Sequence, residues 1–206
     1  LDDLPFMACD DLPYVLAKGS RQAGIFSPRG CYGHCSFCCM PPFYAASGML
    51  GWRARSPENI VDEIDDLRQR FGARTFVFTD ENFIGGFTAA RHRTQRFVEL
   101  LNRRSLDIRF SLSCRADDVE YDLFQGLREV GLWGVFLGLE SGLQGMLDRL
   151  GKGIVAEKNL RALDTLARLE IDCFPSYIMI DADTTEDEFL ANIRYLRLNG
   201  VAIHPA

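Results

Sequence analysis

The chain has 206 residues, 47% of them hydrophobic and 25% charged, with a formal net charge of -6 at pH 7. That balance belongs to a soluble globular chain large enough for a full core, not to a disordered or fibrous one. The acidity leaves no general footprint for nucleic acid, and no apolar run reaches the ~18 residues of a membrane-spanning helix.

In chain order, residues 1–21 read as a linker segment from a preceding domain, and residues 22–206 as one core domain truncated at its sixth strand. Position 1 is Leu and the last residues, "VAIHPA", resemble a strand just beginning, which is the pattern of a piece of a longer protein. Strands are predicted at 22–27, 75–79, 108–114, 133–140, 173–180 and 201–204. Between them lie helical stretches near 57–71, 88–104, 120–130, 141–150, 156–169 and 185–198. The first opens with Ser56 as N-cap and Pro57 at the first helical position, then sets Ile60, Val61, Ile64, Leu67 and Phe71 on one stripe before Gly72. Its acidic run 62–67 is expected to face solvent. Gly131, Gly151 and Gly200 act as further stop signals.

Strands alternating with helices at roughly ~30-residue spacing imply a parallel sheet with outer helices. In the third strand Phe110 and Leu112 alternate with Ser111, Ser113 and Arg115. In the fourth, Gly138 and Glu140 oppose Val135, Leu137 and Leu139. A polar inward face points to a barrel whose lumen holds a polar ligand. The expected fold is therefore α/β, a partial (β/α)6 TIM-like barrel of parallel strands, with its site at the C-terminal strand ends.

Four of the seven cysteines fall within "GCYGHCSFCCMPP" (30–42), and Cys31, Cys35 and Cys38 follow C-x3-C-x2-C directly after the first strand. An odd cysteine total with Cys9, Cys114 and Cys173 isolated gives poor support to a disulfide framework and suggests a reducing, cytoplasmic compartment. Three thiolates can bind three irons of a 4Fe-4S cubane and leave one iron open, where an electron-transfer cluster takes four. The alternative is a structural or scaffold domain holding an inert cluster, or zinc on Cys31, His34, Cys35 and Cys38, although no second ligand pair is present in the sequence. Cys39 is adjacent to Cys38 and reads as a free thiol, His92 as a surface residue.

The loop "CYGHCSFC", with an aromatic before its last cysteine, resembles the signature of the radical S-adenosylmethionine (radical SAM) superfamily. Further blocks, "LDDLPFMACDDLP", "RARSPENIVDEI", "FVFTDENF", "SCRAD" and "GLESG", resemble the branch that usually carries a cobalamin-binding domain in front. The resemblance implies partial or full β/α barrels, with a cluster on Cys31, Cys35 and Cys38 that reductively cleaves S-adenosylmethionine to a 5'-deoxyadenosyl radical. It further implies a small-molecule substrate and an external one-electron reductant, with cobalamin confined to a full-length parent. By the same resemblance Phe37 lies against adenine by its backbone, and Thr79, Asp80 and Glu81 receive the ammonium. Arg115 suits the carboxylate, Ser113 and Glu140 the ribose hydroxyls, and Met179 and Ile180 an apolar adenine wall. "IDADTT" (180–185) departs from the family's Gly-x-Pro-Gly-Glu-Thr ending, and the implied adenine contacts do not carry over to that stretch.

Overall fold

In the computed structural model, residues 1–19, 22–49 and 51–200 are described. They open with helix α1 (Leu12–Ala17), strand β1 (Gln22–Ile25) and a two-residue strand β2 (Pro28–Arg29), followed by α2 (Met40–Ala46) and β3 (Arg53–Ala54). The chain then alternates regularly: α3 (Pro57–Phe71), β4 (Thr75–Phe78), α4 (Thr88–Arg104), β5 (Arg109–Arg115), α5 (Tyr121–Glu129) and β6 (Leu132–Glu140). It continues through α6 (Gln144–Arg149), α7 (Ala156–Arg168), β7 (Asp172–Tyr177) and α8 (Glu186–Leu198). The expected sixth strand at 201–204 lies outside the described residues.

Strands β1, β4, β5, β6 and β7 form one parallel sheet in that order. Helices α3 and α8 are set by their own ends. Ser56 caps α3 by accepting from the Asn59 N–H, and Gly72 closes it in the left-handed conformation. Thr185 and Glu188 form a reciprocal capping box on α8. The helix-facing sides of β5 and β6 supply Phe110, Leu112, Leu132, Val135, Leu137 and Leu139, all without exposure. Phe78 sits at the centre of an aromatic cluster, edge-on to Phe83, Phe97 and Phe110 at 4.8, 5.8 and 5.7 Å between ring centres.

Three segments differ from the sequence expectation. The strand predicted over 173–180 ends at Tyr177, because the side chain of Asp181 gathers the Asp183 N–H and the Thr184 hydroxyl into a local turn before α8. The acidic run of α3 does not lie wholly in solvent: Glu63 is buried and pairs with Arg55, since the chain leaving β3 and the N-terminal residues cover that flank. Helices α1 and α2 and the antiparallel β2–β3 pair were not anticipated. That pair closes the two ends of the excursion that carries the cysteine loop.

Asp80 ties the ends of β1 and β4 together, its carboxylate accepting from the Ser27 N–H at 2.8 Å and the Ser27 hydroxyl at 2.6 Å. Burial pushes its pKa up to about 7, while those hydrogen bonds pull the other way.

Two outcomes are expected. Phe78→Ala empties the centre of the aromatic cluster and costs ~3–5 kcal/mol in urea unfolding; a loss below ~1 kcal/mol would mean that the cluster is not packed as described. Asp80, with its folded pKa raised from 3.8 to about 7, binds a proton on folding between those limits, so its contribution weakens the fold as pH rises through this window. Unfolding of the Asp80→Asn variant against the native chain at pH 4 to 7.5 is expected to shift in the variant's favour with rising pH, and a pH-independent difference would contradict the burial argument.

Candidate functional site

A cavity of about 1070 Å³ opens where the strands end. Its walls combine the loop thiols of Cys31, Cys35 and Cys38 with Glu81 after β4, Ser113 and Arg115 on β5, Glu140 at the end of β6 and Met179 after β7. The polar alternation in β5 and β6 is what turns Ser113, Arg115, Gly138 and Glu140 toward the cavity while their neighbours pack against the helices. Ser111, on the same face as Ser113, is instead fully buried with its hydroxyl unpartnered.

The cysteine loop has no regular structure of its own between β2 and α2, and its neighbours hold it. The Gly30 N–H donates to Glu81 at 3.2 Å, the Ser36 N–H to the Leu150 carbonyl at 2.9 Å and the Tyr32 hydroxyl to Asp118 at 2.7 Å. Gly30 needs its positive φ of 85°, and a Cβ there would lie 2.3 Å from the Gly51 carbonyl oxygen. Cys39 starts α2 and is exposed, apart from the three cavity-facing thiols. Burial raises the Cys38 pKa, and the neighbouring thiols Cys35, Cys39 and Cys31 add to it. Thiolates crowded in this way call for a cation to discharge them.

The donor set fits an open-site cluster. Three loop cysteines line one cavity; Cys114 and Cys173 border it as well, from β5 and β7 and not from the loop. Among the described residues no three His, Cys, Asp or Glu side chains are gathered closely enough for a single metal ion, so Cys31, His34, Cys35 and Cys38 do not converge as the zinc reading requires. A cubane places each thiolate on a separate iron and so accepts wider sulfur separations than one zinc ion does.

Beyond the thiols, Glu81 accepts from the Tyr44 hydroxyl at 2.9 Å and remains exposed toward the cavity. Arg115 is buried and braced: its Nε donates to Asp117 at 2.9 Å and Nη2 to the Lys152 carbonyl at 2.6 Å. Glu140 adopts a left-handed backbone, φ 64°, and accepts from the buried Lys152 ammonium at 3.1 Å and the Ser176 hydroxyl at 3.3 Å. Phe37 and Met179 line the cavity as well.

Three expected contacts are not gathered there. Asp80 has both carboxylate oxygens engaged by Ser27 and is 4% exposed, so it ties strands together and does not face the cavity. Thr79 turns its hydroxyl to the Ile25 carbonyl, continuing the β1–β4 pairing. Ile180, past the end of β7, is 64% exposed and stands outside the cavity wall, because the turn at Asp181 carries it away.

Sequence reading missed Lys152, Ser176 and Asn82. For Lys152 the signal was present in "GKG", since Gly151 and Gly153 both take positive φ and so present the lysine between two tight turns. Asn82 is completely buried, donating to Asp118 at 3.0 Å and lying 3.9 Å from the Cys31 sulfur.

Among the described residues no helix is long and apolar enough to cross a membrane. The model of the family described as the Radical SAM superfamily matches residues 25–199. The chain is 26% identical over 201 residues to an uncharacterized methyltransferase of Pyrococcus horikoshii, covering 96% of this chain and 42% of that protein. It is 33% identical over 156 residues to the anaerobic magnesium-protoporphyrin IX monomethyl ester cyclase of Rubrivivax gelatinosus, covering 74% and 26%. Its fold matches that of the cobalamin-dependent S-adenosylmethionine radical enzyme OxsB, solved with aqua-cobalamin and S-adenosylmethionine bound. That match has a TM-score of 0.81 at 26% identity and covers 94% of this chain and 28% of that one. The chain thus spans less than half the length of these relatives. Because the family match runs from the end of β1 through α8 and takes in the three-thiol loop with the strand ends around it, this chain belongs to the radical SAM superfamily.

Proposed function

We propose that residues 22–206, led in by residues 1–21, are the radical-generating core of a larger cobalamin-dependent enzyme that methylates or oxidatively cyclises a small-molecule substrate. The observation that carries this reading is the single cavity onto which the Cys31, Cys35 and Cys38 thiols, Glu81, Arg115 and Glu140 all open. The named relatives, a methyltransferase and a cyclase, support the two reaction types. All seven cysteines are free, which supports a reducing, cytoplasmic setting in which an external one-electron donor serves the site. The acidic chain favours a small molecule over nucleic acid.

Cys31, Cys35 and Cys38 would hold a 4Fe-4S cluster, which when bound supplies the electron that cleaves S-adenosylmethionine to methionine and a 5'-deoxyadenosyl radical. The protein's remaining task is to bind and orient. Glu81, its carboxylate fixed by Tyr44 and the Gly30 N–H, receives the ammonium group. Arg115 offers the carboxylate the guanidinium N–H left over from its brace. Ser113 and Glu140 take the ribose hydroxyls, with the Lys152 ammonium donating to Glu140 and holding it turned inward. Met179 and the Phe37 backbone border the adenine, and the apolar walls limit water near a reactive carbon radical.

Anaerobic reconstitution of the chain, with iron and sulfide analysis and chromatography after reduction, tests this. The native chain and Cys39→Ala are expected to load a full cluster and release 5'-deoxyadenosine, whereas Cys31→Ala, Cys35→Ala and Cys38→Ala lose both. Full loading of Cys35→Ala would remove the basis of the assignment. For Glu81→Ala, calorimetry is expected to show S-adenosylmethionine affinity weakened by ~1.5–3 kcal/mol, the range for a charge-assisted hydrogen bond; unchanged affinity would leave Glu81 as a loop anchor alone.

A further inference from the structure

Two of the three cavity-facing thiols, Cys31 and Cys35, have N–H donors within reach, and the donors are not alike. The Gly33 N–H lies 3.3 Å from the Cys31 sulfur and the Asn82 amide 3.9 Å from it. Cys35 is approached by Nη1 of Arg115 at 3.6 Å, and among the described residues this is the charged donor to a cluster thiol.

Arg115 is held in that place from three other directions. Asp117 grips its Nε, the Lys152 carbonyl accepts from Nη2, and the guanidinium lies over the Tyr32 ring at 5.1 Å. Room for it is made on the loop itself, since a Cβ on Gly33 would come within 2.7 Å of Nη1. A side chain 7% exposed, fixed on every side and fitted under a glycine is more than a mobile clamp for an incoming carboxylate.

Beyond the binding role given to it above, we propose that Arg115 sets the reduction potential of the cluster by placing a permanent positive charge against the Cys35 sulfur. One-electron reduction adds a negative charge shared by the thiolates. A guanidinium donating to one of them in a site partly shielded from water stabilises the reduced form and raises the potential. Asp117 and Tyr32 are positioning residues in this arrangement, because they fix the guanidinium and do not touch the sulfur.

This inference rests on the cluster reading, and the test keeps the two apart. The chain and its Arg115→Gln and Arg115→Lys variants are reconstituted anaerobically, matched for iron and sulfide, and titrated electrochemically with the reduced cluster followed by electron paramagnetic resonance. Arg115→Gln is expected to move the midpoint to more negative potential by about a tenfold change in the reduced-to-oxidised ratio, 59 mV for a one-electron couple. Arg115→Lys, which keeps the charge, is expected to retain most of the native value. A fully loaded Arg115→Gln with the native midpoint, or an Arg115→Lys shift as large as that of Arg115→Gln, overturns the proposal. The native chain grown with 15N-arginine gives a second reading that needs no substitution: pulsed resonance on the reduced cluster is expected to show a 15N coupling, and its absence overturns the proposal even where Arg115→Gln takes up no iron. A native chain that binds no iron sinks the cluster reading itself, and the inference with it.

Discussion

A loop with no regular structure cannot hold three thiols in a fixed triangle by itself, and the rest of the site follows from how that is overcome. The solution is a polar ledge in the turn after β5. Asp117 fixes Arg115, and Asp118 accepts from both Tyr32 and Asn82, so one tight turn reaches the cysteine loop through three separate side chains. The opposite flank is held through backbone, by the Ser36 N–H on Leu150 and by the β2–β3 pair at the loop's base. Buried carboxylates used in this way are costly unless every oxygen is engaged. Asp118 meets that condition with Tyr32 on one oxygen and Asn82 on the other.

The division of labour along β5 and β6 explains why the ledge and the cavity coexist with a well-packed sheet. Alternate residues face the helices and are wholly apolar, while the intervening ones carry the hydroxyl, guanidinium and carboxylate groups of the site. The ion pair of Lys152 with Glu140 shows the same economy. Both are nearly buried, each neutralises the other, and the pair lies at the cavity wall, where a ligand can share its hydrogen bonds.

Much of this was legible in the residues alone. The helices of the alternating part have strong periodicity, and α3 has clear caps besides, so α3 and α4 fall where the pattern puts them. The period-two pattern of β5 and β6 located Ser113, Arg115 and Glu140 on the inner face, and the thiol spacing singled out the loop. What escaped reading was what depends on distant contact. Two-residue strands such as β2 and β3 carry no period, and α2 hides behind two prolines that its first turn tolerates because those N–H groups need no partner. Asp80 and Glu81 are adjacent acids in sequence, yet one is sealed by Ser27 and the other faces the cavity; only the path of β1 decides which. Glu63 belongs to the same class, since its burial follows from Arg55 on a neighbouring segment.

The left-handed backbone at Glu140 carries a further consequence. Glycine adopts that conformation freely, whereas a residue with a Cβ held there stores on the order of 1 kcal/mol or more. The chain therefore keeps a strained carboxylate where an unstrained glycine would fit the backbone better. Glycine would relieve that strain but would leave the buried Lys152 ammonium without its carboxylate, a larger cost, so the ion pair is what holds Glu140 in a backbone conformation it would not otherwise adopt.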